Sequence, residues 1–539
     1  MRRLITALCT TAILANHAFA QGAAALDPVE AQQRLLELLG RRPAAPVGGW
    51  TQARVGLLTA GSENDPWEAR QDRALSVFGS GSGATLRWIP VELRSSSNSA
   101  RPWGINDGPV WQGKGITSSL SGGLVAEWRG FTATLNPVLW SASNDDFALS
   151  PLATSPGLSP YSYPTRSTQR IDAPQRFGDA SIARLEPGQS SLTYTAGKFV
   201  MGVSSATQRW GPARRNPVIL SQHAAGFEHA FIGTSSPVDV RVGRVHAQWL
   251  WGRLSESDFF DTVSNNGNRF ITGATFSFFP KFAPGLELGA NRMFVARWRD
   301  GGPTLRQTTL IFIPLPKSAF EDPINNPVGD DELDQLASVF ARWVAPDVGF
   351  EVYGEWARGD HSSDLRDFTV QPEHASGFVL GFQKTFREEE RAFWHFGGEA
   401  TLLGATRTSL ARAPRTAFYQ HHLITQGYTQ RGQVIGAAIG PGSSQISIDL
   451  GRVAEWGRAS ITLQRTAIDN DRFYGLVNDN TWFNRNESES AVIVEALAFR
   501  GSWELGGSFA AAKLFNKGYV LRNDETNVQI GLLARYRWR

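Results

Sequence analysis

The sequence predicts an all-β protein: a transmembrane antiparallel β-barrel of about 18 strands, preceded by a short N-terminal periplasmic helical segment. Three observations predict it. Segments of nine to twelve residues alternate apolar and polar side chains between turn residues, the length and period of a tilted strand crossing a bilayer. No run of 18 apolar residues occurs anywhere, which excludes a multi-span helical membrane protein. The chain also opens with an export signal whose removal takes away its one cysteine, so the exported protein must hold together without disulfides.

The elements follow in order. Met1-Arg2-Arg3 is a positively charged start, Leu4 to Ala15 an apolar stretch, and Ala18-Phe19-Ala20 the small-residue pattern for cleavage after Ala20. Residues 1–20 are therefore read as a signal peptide. The mature chain has 519 residues, and its formal charge falls from +3 to +1, so no bulk electrostatic case for nucleic acid exists. Residues 21–50 form the periplasmic helical segment. Asp27 serves as N-cap, Pro28 fits the first helical turn, Glu30 lies at N3, and Gly40 stops the helix after Leu39. Leu35, Leu36, Leu38 and Leu39 make its apolar side.

Residues 51–539 are read as the barrel. Ile116 to Trp128 and Phe131 to Leu139 alternate around the tight turn Arg129-Gly130. The same grammar pairs 337–344 with 350–357, 377–386 with 392–403, 443–453 with 458–467, and 492–500 with 503–515; residues 529–538 close the chain. About 29 residues per strand and connection gives about 18 strands. No repeat of 40 to 50 residues is visible, as propeller blades would show. Trp128, Trp140, Trp298, Trp343, Trp356, Trp503 and Trp538 lie near strand ends, where aromatic girdles form. The penultimate Trp538 is expected at the barrel interface, as the terminal aromatic read by barrel assembly machinery.

Five connections are too long for simple turns: 94–114, 143–187, 208–237, 301–334 and 469–489. Two of them carry tryptophan and forked polar groups and are read as packed segments that fold into or over the barrel. Sugars present arrays of hydroxyls and a weakly apolar ring face, so glycan binding wants Arg, Asn and Asp beside an aromatic platform. Trp103, Asn106, Asp107 and Trp111 form one such set; Arg209, Trp210, Arg214, Arg215 and Asn216 form another. Arginine clamps acidic sugars with paired hydrogen bonds, and 46 of the 53 basic residues are arginine. The alternative is that both loops are structural plugs whose arginines pair with carboxylates of the lumen.

Asn98-Ser-Ala-Arg-Pro-Trp-Gly-Ile-Asn-Asp-Gly108, Trp111-Gln-Gly-Lys-Gly115, Gln208-Arg-Trp-Gly-Pro212 with Val218-Ile-Leu-Ser221, and Gly243 to Ser255 resemble the capsule assembly protein Wzi family. Arg209 and Ala213 stand where the pattern carries a second Trp and a Gly-Pro-Gly. The resemblance implies an 18-stranded outer-membrane barrel that acts as a lectin holding capsular polysaccharide at the cell surface, with no enzymatic reaction.

Enzyme readings are weaker. Glu351 and Glu355 share a strand face with Tyr353, but positions i and i+4 on a strand lie roughly 13 Å apart, wide for a glycosidase pair. His223, His229, His421 and His422 lack carboxylate or thiol partners at zinc-like spacing. The sequence thus assigns no catalytic residue, no metal and no cofactor. Its expected partners are a capsular or other surface polysaccharide, outer-membrane lipid and the barrel assembly machinery, and its expected location is the outer membrane. The competing function is a porin-like diffusion channel for small solutes, since a polar lumen serves both.

Overall fold

A computed structural model describes residues 28–49, 65–70, 75–77, 83–150, 158–164, 170–261, 267–299, 301–312, 333–359, 365–389, 391–406, 418–476 and 485–538. The expected signal peptide, residues 1–20, and the expected N-cap Asp27 lie outside the described residues. Eighteen strands close an antiparallel barrel. They are β1 (Ala84–Asn98), β2 (Gly115–Trp128), β3 (Phe131–Leu135 and Val138–Ala142), β4 (Ile182–Glu186 and Ser191–Ala196), β5 (Phe199–Ser204) and β6 (Glu228–Thr234 and Val238–Val240). Then come β7 (Gly243–Ser255), β8 (Asn268–Pro280), β9 (Leu286–Arg297), β10 (Leu333–Ala345), β11 (Phe350–Arg358) and β12 (Ser376–Glu389). The wall ends with β13 (Ala392–Leu402), β14 (Ser444–Ala454), β15 (Gly457–Ala467), β16 (Ser488–Arg500), β17 (Trp503–Phe515) and β18 (Glu525–Tyr536). Closure comes from β1 against β18, in register from Val91 opposite Tyr536 to Asn98 opposite Gln529.

The period of two decides which way each side chain faces. On β14, Ile446, Ile448 and Leu450 are exposed while Gln445, Ser447 and Asp449 are buried. That is inside-out relative to a soluble protein, and it suits a wall with lipid outside and a polar lumen inside. One end carries short turns, such as Arg129-Gly130, where both residues take positive φ (46° and 87°) as a two-residue hairpin requires. Here Trp88, Trp128, Phe131, Phe199, Trp343, Trp394, Trp456, Trp503 and Trp538 form an exposed aromatic belt. Trp538 packs edge-on against Tyr536, with ring centroids 5.4 Å apart. The opposite end carries the long loops.

Three expectations need correction. Trp140 does not join a girdle: its even place in the alternation turns it inward, against Val110, Val138 and Ala142. Residues 94–98, 182–186 and 228–234 are strand rather than loop, because ladder bonds to β2 and β18, to β3, and to β5 and β7 override local composition. A further long loop, 403–443, joins β13 to β14.

The helix α1 (Pro28–Leu38) forms as expected, and Gly40 ends it at φ 68°. It is docked inside the turn-end mouth of the barrel. Leu35, Leu36 and Leu39 pack on Trp67 and on the inward Phe393, Val453, Leu497 and Leu533. Arg34 reaches Glu351 at 2.8 Å, and Arg342 lies between Glu351 (2.8 Å) and Glu37 (2.7 Å).

Candidate functional site

The 205–227 segment leaves the wall at the loop end, after β5, and enters the lumen. Trp210, Ala213 and Val218–Leu220 are fully enclosed among Phe231, Leu250, Ile271, Met293, Tyr353 and Val379 of the wall. Its descent ends on the helix: Arg34 Nη2 donates to the Pro212 carbonyl at 2.8 Å, and Arg209 pairs with Glu30 at 2.7 Å. Gly211 takes φ 101°, and a Cβ there would lie 2.6 Å from the Glu355 carboxylate, so only glycine lets the turn sit against the wall.

Wall carboxylates fix the turn that follows. The backbone N–H groups of Arg214, Arg215 and Asn216 all donate to Glu399, the last two at 3.0 Å, and the Tyr353 hydroxyl donates to the same carboxylate at 2.7 Å. Consecutive amides converging in this way form an anion nest, here occupied by the protein's own glutamate. Arg214 makes two 3.0 Å bonds to the Asp449 carboxylate, which hold its guanidinium well above the usual range despite burial. Arg215 donates to Gln464 at 3.3 Å and Asn216 to Gln445 at 2.8 Å. From above, Tyr419 and Tyr428 of the 403–443 loop donate to the carbonyls of Val218 (2.8 Å) and Ile219 (2.9 Å).

The first predicted set lies alongside. Trp103 is buried on Ala491, Ile493, Ala510 and Ala512, and its indole N–H donates to Glu489 at 2.9 Å. Asn106 holds φ 58° and donates through Nδ2 to the Arg215 carbonyl at 3.0 Å. Its backbone N–H meets His223 Nδ1 at 3.4 Å. Trp111 packs edge-on against Phe177 at 4.7 Å. Asp107 is partly exposed, yet burial raises its carboxyl to about 7. The structure therefore brings both sets together, Asn106 bridging them. It buries Trp103, Arg209, Trp210, Arg214, Arg215 and Asn216, and it leaves Asn106, Asp107 and Trp111 partly open.

Sequence reasoning missed the partners: Glu399, Asp449 and the network of Arg34, Glu37, Arg342 and Glu351. Their signal was present, because carboxylates midway along amphipathic strands must face the lumen. Glu351 and Glu355 do share the lumen face, and Glu351 is held by two arginines rather than open to a substrate.

A barrel of outer-membrane class, closed by pairing of its first and last wall strands and filled by its own loop and helix, is what this geometry defines. The sequence model of capsule assembly protein Wzi matches residues 103–455, and the chain belongs to that family. Among solved structures it is similar to Wzi of Escherichia coli, described as a carbohydrate-binding β-barrel of the outer membrane involved in group 1 capsule assembly. The identity is 15%, the TM-score is 0.53, and 82% of this chain and 83% of that one are covered. OccAB2 of Acinetobacter baumannii aligns at 12% identity and TM-score 0.40, covering 83% and 97% of the two chains. The outer membrane channel DcaP of the same organism aligns at 10% and 0.34, covering 86% and 100%. No curated protein matches the chain.

Proposed function

We propose that the protein binds a surface polysaccharide, capsular or exopolysaccharide, at the loop end of a plugged barrel and helps attach or assemble it at the cell surface, without catalysing a reaction. One observation carries this reading over a diffusion channel: the plug is knitted to the wall by Glu399 and Asp449 and closed beneath by α1. A polar lumen that is filled offers its chemistry to the fold, and the loop end is left to meet the ligand. Family membership supports the same reading.

Within it, Arg209, Trp210, Arg214, Arg215, Asn216 and Trp103 hold the platform from below, while Asn106, Asp107 and Trp111 contribute polar groups and an aromatic face nearer the surface. The chain is exported with its signal removed after Ala20 and inserted by the barrel assembly machinery. Its apolar outer face and turn-end aromatics contact outer-membrane lipid, and both ends of the barrel chain lie on the periplasmic side. The test is a deletion strain. It should still make its polysaccharide but shed it into the medium; unchanged retention at the cell surface refutes the reading.

A further inference from the structure

The barrel wall has a notch at the loop end. Beyond the level where β5 ends at Ser204 and β6 begins at Glu228, the upper piece of β4 pairs only with β3 among the described residues. On the other side, Leu254 and Ser255 of β7 have a wall-strand partner only in β8 among the described residues. A small hairpin from the 403–443 loop stands in for the missing strand. Thr429–Gln430 pairs with Gln433–Val434, and Arg431 and Gly432 both take positive φ (48° and 86°), the two-residue turn geometry. Gln430 Oε1 accepts from the Ser255 N–H at 2.7 Å, the Arg431 N–H donates to the Ser255 carbonyl at 2.8 Å, and the Arg431 guanidinium meets Glu186 at 2.5 Å. The two edges of the notch are thus tied together through one residue.

Against this tie lies a cleft of about 460 Å³, lined by Arg184, Glu186, Arg431, Glu256, Asp258 and Pro187. That volume is in the range of small-ligand sites, roughly 300–1,000 Å³. Its charged groups differ in one respect. Arg431 and Glu186 satisfy each other, and Glu256 accepts from Gln426 at 2.6 Å. Arg184 is half-buried on the inward face of β4 and makes no side-chain hydrogen bond or ion pair among the described residues. A guanidinium held in that position matches an anion with paired oxygens, and carboxylates across the cleft accept from hydroxyls. Burial also raises Glu256 to about 7, which lessens repulsion of an anion at neutral pH.

We propose that the notch is a binding subsite for an acidic oligosaccharide, with a sugar carboxylate on Arg184 and ring hydroxyls on Glu256 and Asp258. It rests on the polysaccharide-binding reading and adds a place and a ligand class to it. The test uses full-length protein in nanodiscs, titrated calorimetrically with the surface polysaccharide purified from the producing strain, with a galacturonic-acid hexamer, and with that hexamer after carboxyl reduction. The proposal expects the hexamer to bind, carboxyl reduction to abolish binding, and Arg184→Ala to weaken it about ten-fold or more, as loss of a charge-assisted hydrogen bond does. Arg184→Lys, which keeps charge but not the fork, should fall between them, and Asp258→Asn should give a smaller loss. Heat-modifiable gel mobility should be unchanged in all three variants, because neither Arg184 nor Asp258 ties the wall. Wild-type affinity for the polysaccharide in Arg184→Ala overturns the subsite and leaves the general function standing. Equal binding of the carboxyl-reduced hexamer, or displacement of the acidic one by inorganic phosphate at equal ionic strength, overturns the ligand class. Failure of the wild type to bind the polysaccharide refutes the general function as well.

Discussion

The centre of the lumen and the notch in its wall both present arginine, and they use it in opposite ways. In the centre, Arg214 is clamped by Asp449 of the wall, and Arg342 lies between Glu351 of the neighbouring strand and Glu37 of the helix. At the notch, Arg431 is used to tie two strand edges together while Arg184 faces a cleft without a protein partner among the described residues. An arginine whose fork is filled by the fold reports on stability. One that is positioned but unfilled reports on a ligand. Residue type alone does not separate these roles, and the difference can be measured.

The largest effect is expected from Glu399→Ala. It leaves three plug amides and the Tyr353 hydroxyl without their shared acceptor in a buried site, a loss of about 3–5 kcal/mol. Single-channel recording should then show openings that the wild type lacks. Arg214→Ala strands the Asp449 carboxylate and should lower the temperature of the heat-modifiable mobility shift, by about 3 kcal/mol of stability. Glycan affinity of the still-folded protein should hold, which is the reverse of the pattern expected for Arg184→Ala.

Much of this was legible in the sequence. Strand period, turn residues and the helix stop at Gly40 are local signals, so the hairpins and α1 could be placed within a few residues. The composition of the 208–217 segment marked it as packed rather than loose, and it is packed. What could not be read was which carboxylate each arginine meets, because Arg214 and Asp449 are 235 residues apart and only barrel closure brings them together. The notch was hidden for the same reason: it arises from the lengths of β4, β5 and β7 relative to one another, and a hairpin 175 residues further along fills it. Trp140 shows the limit of composition on a finer scale, since one position along a strand exchanges lipid for lumen.

A pH effect of intermediate size is expected at the 99–114 loop. The Asp107 carboxyl ordinarily titrates at 3.8 and is raised to about 7 by burial. Its contribution to stability is therefore fully present below about 3.8 and is lost as pH rises through 7. Hydrogen-exchange protection in this loop, taken relative to the intrinsic base-catalysed rate at each pH, should be lower at pH 8 than at pH 6, and Asp107→Asn should remove that difference. The smallest effect belongs to Trp210→Phe. The indole N–H has no hydrogen-bond partner among the described residues, so a phenyl ring that keeps the apolar packing should change stability by less than about 1.5 kcal/mol, read from the same mobility transition.

The central claim is that the lumen is closed by the protein's own side chains and that the ligand is met outside it. Its most direct test is the conductance of the purified wild-type protein in a planar bilayer. Wild-type protein should insert without producing steady open-channel currents, and Glu399→Ala should produce them. Large, stable, ohmic conductance from the wild type would contradict the account and restore the diffusion channel.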